Sequence, residues 1–255
     1  MENNFQNSSL IGLSHRGDSK NYIENSLEAF EAVVKMGFTH IETDLRMTLD
    51  QEVIAFHDEN LKRLFNLDLK VEDLRFEEID YLFKEKNCSL ISLEEALIRF
   101  PNSFFNIDLK VQEVVKKSIE TVRKMNAFHR VCFASFNSRN TNFVLKNAPE
   151  AIVSLGLKDV AFFKFFNVLK KKAKIIQIPL KWKGIKVLSQ KVIKNAKKKG
   201  LLVHVWTIND EKTIYELIDM GVNGIVTDEP ELLMKILNKE KMNAMATIFC
   251  AIQSD

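Results

Sequence analysis

Glycine and proline are scarce in this 255-residue chain, eight and four respectively, so no stretch has the composition of a linker or a low-complexity segment. Cysteine is scarcer: Cys88, Cys132 and Cys250 lie far apart, with no C-x-x-C pairing. That spacing argues against a disulfide framework or a zinc site and favours a reducing compartment. Cys132 sits in an apolar run and reads as a small core side chain, whereas Cys88 follows a polar turn. No apolar run is long enough to span a bilayer. Residues Met1 to Asn7 lack the basic start and apolar stretch of a signal peptide, so the cytoplasm is the expected location. The net charge, +3, is too small to call for a nucleic-acid partner.

What is present suits one large core. Hydrophobic residues make up 46 % of the chain and charged residues 28 %. The length is generous for one ordinary domain but usual for an α/β barrel, so a single domain over 1–255 is expected. A unit of helix, glycine and strand recurs. An amphipathic segment ending at Met36 meets Gly37 and then Phe38 to Asp44; Lys199 meets Gly200, and Met220 meets Gly221. Capping boxes are expected at Asn25 with Glu28 and at Ser92 with Glu95. Eight strands follow, beginning near Leu10, Phe38, Phe104, Arg130, Ala151, Ile175, Leu201 and Gly224, with helices between them. The expected architecture is a (β/α)8 TIM barrel with an insertion after the second strand, at about 45–101, and a C-terminal tail at about 240–255.

Polar residues fall at strand ends: His15 on the first strand, Glu42 and Asp44 on the second, Asp108 on the third, Ser135 on the fourth, Trp206 on the seventh, Asp228 after the eighth. In a parallel barrel those ends meet on one face. Glu42 and Asp44, two apart on a strand, share a side, as do Asp108 and Lys110. Three carboxylates at one mouth repel unless a cation sits among them, and oxygen ligands favour Mg²⁺ or Ca²⁺, with Mn²⁺ as a further option. The plainer alternative is that Asp44 and Asp108 cap loops or pair with Lys110 and Arg46. His15 and His57 suit proton transfer, and Arg16 and Lys110 suit a phosphate or simple charge balance. Strand alternation fits structural roles for His40 and His204, and His129 reads as surface.

His15-Arg16-Gly17, Glu24-Asn25, Glu42-x-Asp44, Thr48-x-Asp50 and His57-Asp58 followed by Leu61-x-Arg63 resemble the glycerophosphodiester phosphodiesterase family. Asn106 to Lys110, Val205 to Asn209 and Gly221 to Asp228 are similar to its remaining motifs. The resemblance implies one divalent cation on Glu42, Asp44 and Asp108, and His15 and His57 as acid and base. It puts Arg16 and Lys110 on the phosphate, Trp206 beside the glycerol end, and Glu24 near the metal or a histidine. It implies cleavage of a small phosphodiester to glycerol 3-phosphate and an alcohol. Two departures stand out: Ile23 where the family often has proline, and Asp108 where it often has glutamate. Competing readings are a lysophospholipase D, which needs an apolar groove at the mouth, and a non-catalytic phosphate-binding barrel.

From Val160 to Asn209 there are thirteen lysines and no acidic residue, with Phe162, Phe163, Phe165 and Phe166 just after the fifth strand. Such a stretch suits docking on anionic lipid, but packing of the phenylalanines on the barrel is the preferred expectation, with no stable membrane association. The oligomeric state is not legible.

Overall fold

Eight parallel strands close into a barrel in the computed structural model, which describes residues 10–169 and 172–252, without the side chains at 244 and 246–252. The strands are β1 (Ile11–His15), β2 (His40–Met47), β3 (Val53–Ala55), β4 (Phe104–Leu109), β5 (Val131–Ala134), β6 (Ile152–Val153), β7 (Ile175–Ile178), β8 (Lys181–Trp182), β9 (Ile185–Lys186), β10 (Leu202–Val205) and β11 (Gly224–Thr227), of which β3, β8 and β9 are short and lie outside the ring. Their order around the barrel is β6-β5-β4-β2-β1-β11-β10-β7. The circle closes through a parallel bridge from Ser154 to Ile175 and the Lys174 N–H, which donates to Val153 O at 3.0 Å. All eight expected strands are present.

The helices are α1 (Leu27–Lys35), α2 (Lys62–Phe65), α3 (Phe76–Lys84), α4 (Leu93–Arg99), α5 (Glu113–Lys124), α6 (Ser138–Asn147), α7 (Leu157–Phe166), α8 (Gln190–Lys198), α9 (Glu211–Met220) and α10 (Pro230–Ile252). Strand alternation splits the apolar residues into two layers. Leu13, Cys132, Ile152, Ile175 and Val226 point inward and fill the barrel. Ile41, Leu45, Phe105, Ile107 and Phe133 point outward and pack with helix residues such as Phe30, Val33, Leu97 and Ile119. His40 and His204 are buried inside, where burial lowers their pKa values to about 4 and about 3, so both stay neutral. His40 stacks on Phe104, with ring centroids 4.7 Å apart.

The segment at 45–101 has a small core of its own, in which Ile54, Phe56, Leu61, Val71, Ile79 and Phe83 are buried together with Cys88. Its strand β3 pairs antiparallel with the end of β2, Leu45 opposite Ala55. The Phe56 N–H donates to Asp44 O at 2.9 Å, which holds the next residue, His57, at the barrel mouth. α4, the last helix of this segment, packs in the main core.

One expectation needs correction. The cap of α1 is Ser26, whose hydroxyl accepts from Ala29 N at 3.1 Å, not Asn25. The Glu28 carboxylate accepts instead from the Ser89 backbone and hydroxyl, so no capping box forms there. Ser92 does cap α4, accepting from Glu95 N. The stretch expected as a tail from about 240 is continuous with α10 as far as Ile252. The Cys250 side chain and residues 253–255 lie outside the described residues. Among the described residues, no helix is long and apolar enough to cross a membrane.

Candidate active site

Register places the polar residues. Inward parity on β2 carries His40, Glu42 and Asp44 in ascending order; on β4 it carries Phe104, Asn106 and Asp108. His15 is level with Glu42 across the β1–β2 pair, and Asp44 is level with Asp108 across β2–β4. The side chains thus leave the apolar interior near the carboxyl ends of the strands, at a cavity of about 380 Å³. It is lined by His15, Arg16, Glu42, Asp44, His57, Asp108, Lys110 and Trp206, eight of the nine residues singled out in the sequence. The ninth, Glu24, stands one layer back.

Asp44 is the electrostatic centre. Lys110 Nζ lies 2.7 Å from its Oδ1 and 2.6 Å from Asp108 Oδ2, so one ammonium bridges the two carboxylates. Arg16 Nε is 2.9 Å from Asp44 Oδ2, and Asn25 Nδ2 donates to the same oxygen at 3.1 Å. Burial alone would raise the Asp44 pKa, but Lys110 and Arg16 outweigh it and hold it well below the carboxylate range. Glu42 has no such partners. Burial and the neighbouring Asp44 raise its pKa to about 8, and its buried Oε2 accepts no hydrogen bond. Burial likewise raises Asp108, against the pull of Lys110. Among the described residues, no three His, Cys, Asp or Glu groups form a ready metal cluster, and the Lys110 ammonium sits between two of the carboxylates. The donor chemistry still fits a hard cation: three carboxylates line one cavity, and one keeps an orphaned oxygen.

The two histidines are held differently. His15 Nδ1 contacts Asp228 Oδ1 at 2.5 Å, while its Nε2 faces Glu42 Oε2 at 3.8 Å. Burial would lower its pKa, but Glu42 and the Asp228 bond win and raise it. His57 Nδ1 contacts Asp58 Oδ1 at 2.7 Å, and burial, aided by Lys110 and Arg16, lowers its pKa despite Asp44 and Asp58. The first therefore favours the imidazolium and the second the neutral ring.

Behind them runs a relay. Arg63 Nε donates to Asp58 Oδ2 at 2.7 Å, and its two terminal nitrogens reach Glu24 at 2.8 and 2.6 Å. Glu24 also accepts from Arg16 Nη1 at 3.0 Å. Glu24 thus ties the Arg16 guanidinium to the support of His57. Arg16 itself has φ 63° and Gly17 φ 80°. A Cβ at Gly17 would meet the Ala29 backbone at 2.7 Å, so only glycine lets this turn lie against α1.

The opposite wall is aromatic. Trp206, Phe136 and Trp182 form a triangle with centroid separations of 5.6, 5.8 and 6.2 Å. Lys110 Nζ lies 6.0 Å from the Phe136 ring centre. Leu157, Phe165 and Ile185 extend this wall outward. Sequence reasoning missed Phe136 and Trp182. Phe136 follows Ser135 at a strand end, the rule that found His15. Trp182 sits on a two-residue hairpin whose Lys183 and Gly184 both have positive φ, 48° and 82°.

Residues 15–232 match the model of the glycerophosphoryl diester phosphodiesterase family. A glycerophosphodiester phosphodiesterase of Caldanaerobacter subterraneus is 30 % identical, over 89 % of this chain and 97 % of that one. The human lysophospholipase D GDPD1 is 27 % identical, over 89 % and 85 %. The crystal structure of a glycerophosphodiester phosphodiesterase from Thermotoga maritima superposes with a TM-score of 0.71 at 28 % identity, covering 89 % of this chain and 98 % of that one. With a match over most of its length, and a fold and motif order to go with it, the chain belongs to the glycerophosphoryl diester phosphodiesterase family.

Proposed function

We propose that this protein cleaves glycerophosphodiesters to glycerol 3-phosphate and an alcohol, with His57 as base and His15 as acid. The observation that carries the reading is the single cavity in which both histidines, Arg16, Lys110 and three carboxylates meet. Glu42, Asp44 and Asp108 would hold one divalent cation, Mg²⁺ or Ca²⁺. When bound, that cation offsets negative charge on the phosphoryl oxygens. Arg16 and Lys110, which line the same cavity, would supply positive charge to the bound phosphate. With Nδ1 tied to Asp58, neutral His57 can take at Nε2 a proton from the nucleophile, which is water, or the glycerol's own hydroxyl if a cyclic phosphate forms first and water then opens it to glycerol 3-phosphate. The new P–O bond forms as the ester P–O bond breaks, and the His15 imidazolium protonates the departing alkoxide.

The pH dependence follows from those supports. The kcat/KM profile is expected to be bell-shaped: it rises as His57 loses its proton, below the ordinary histidine value, and falls as His15 loses its own, above it. Asp228→Asn removes a group that raises the His15 pKa, so the basic limb should move to lower pH while the acidic limb stays. A basic limb that does not move would refute the assignment of His15 as the acid.

The aromatic wall supports a second reading, a lysophospholipase D acting on lipid phosphodiesters, since it supplies the apolar groove such a substrate needs. One experiment tests both: release of glycerol 3-phosphate from glycerophosphocholine and of choline from lysophosphatidylcholine. A higher kcat/KM for the lysolipid would make it the substrate of choice. Turnover of neither would sink both readings.

A further inference from the structure

We infer that the rim formed by α7 and the β8–β9 hairpin docks this protein reversibly on an anionic phospholipid surface. A helix lying on a barrel normally buries one apolar face and shows water a polar one. α7 does not. Val160 and Phe163 are buried against the barrel, yet Phe165 and Phe166 on the outside are 69 % and 66 % exposed. The packing expected for the phenylalanines therefore holds for Phe163 and in part for Phe162, against which the Phe166 ring tilts with centroids 4.9 Å apart. Despite that contact and the Lys164 ammonium 5.6 Å from the Phe165 ring centre, Phe165 and Phe166 keep most of their surface in water. Across the cavity mouth the hairpin presents Ile185, 59 % exposed, and the Lys164 ammonium bonds the Lys186 carbonyl, joining hairpin and helix.

Charge names the partner. The stretch from Val160 to Asn209 carries thirteen lysines and no acid, while the rest of the chain holds 24 basic against 34 acidic residues. The basic surplus is thus concentrated in one region, which includes the exposed Lys181, Lys183 and Lys186 beside the apolar rim. Protruding apolar side chains ringed by lysines match a bilayer with anionic headgroups: the rings enter the interface and the ammonium groups meet phosphates. A nucleic acid would satisfy the lysines but give aliphatic Ile185 and Leu157 nothing to bury against. Both elements follow the carboxyl ends of barrel strands, so a docked rim would place the cavity mouth at the lipid headgroups. The inference concerns binding and does not depend on which phosphodiester is cleaved.

The test is co-sedimentation of the full chain with phosphatidylcholine vesicles, with and without added phosphatidylglycerol, at low and high salt. Binding is expected only to the anionic vesicles and should fall as salt rises. Phe165→Ser with Phe166→Ser should weaken it at least about tenfold, because two buried rings are lost. Lys181→Glu with Lys186→Glu should weaken it at low salt. Each variant is checked by its thermal unfolding midpoint, which should stay unchanged for these exposed positions. Absence of vesicle binding at low salt, equal binding to neutral vesicles, binding that the serine pair leaves intact, or retention of an RNA oligonucleotide in place of vesicles would each overturn the inference.

Discussion

Replacing His57 by alanine is expected to lower kcat by at least about a hundredfold, the usual scale for a lost acid or base. The fold should survive, because the imidazole is one-third exposed and belongs to no apolar cluster. His15→Ala should do as much damage to kcat from the other side of the cavity. Asp58 and Arg63 offer a graded check. Neither lines the cavity, but both fix the His57 ring, so Arg63→Ala should lower kcat less than His57→Ala does. His40→Ala is the stability control: it empties a buried site stacked on Phe104 and should lower the melting point instead. Steady-state rates at saturating substrate, with melting points for each variant, separate these outcomes. Near-normal turnover by His57→Ala would return that residue to a structural role.

The barrel and the position of the site were legible because both follow from a period of two. Alternation assigns Glu42 and Asp44 to the interior, and parallel topology brings them level with His15 and Asp108. Glycine after the helices was legible for a local reason too: Gly221 closes α9 with φ 74°. What escaped the sequence depends on distant pairings. Arg63 meets Glu24 across 39 residues only because the insertion folds back over the mouth, and no local spacing encodes that. Asn25 looked like a cap because the capping pattern tolerates a shift of one residue. The backbone chose Ser26 and left Asn25, at φ 59°, between Thr43 and Asp44. Composition likewise signalled four clustered phenylalanines but not which of them the barrel would cover.

Glu42→Gln is expected to lower activity at least about a thousandfold, since the proposed cation would supply several kcal/mol of charge stabilisation at this site. It is a cleaner probe of the proposed metal than any change at Asp44. Asp44 is the counter-ion that Lys110 and Arg16 share, so Asp44→Ala would leave each of these largely buried cations with one carboxylate, Asp108 or Glu24, in place of two, and lower stability. Loss of activity there would report misfolding as readily as lost metal. Glu42 is the opposite case. Its folded pKa lies above its unfolded one, so the native state holds a proton that the unfolded chain releases. Stability therefore falls as pH rises from about 4.5 towards about 8. Glutamine cannot ionise and escapes that fall. In chelator at the alkaline end of this window, Glu42→Gln should melt at or above the unsubstituted protein. If the proposed cation binds there, added Mg²⁺ or Ca²⁺ should reverse the order. Binding only the native state, at a hundred times its dissociation constant, it should stabilise the unsubstituted protein by about 2.7 kcal/mol and leave the glutamine variant where it was. Calorimetric melting curves of both proteins, with and without cation, read this independently of turnover. Full activity in excess chelator, or equal shifts in both proteins, would remove the metal from Glu42.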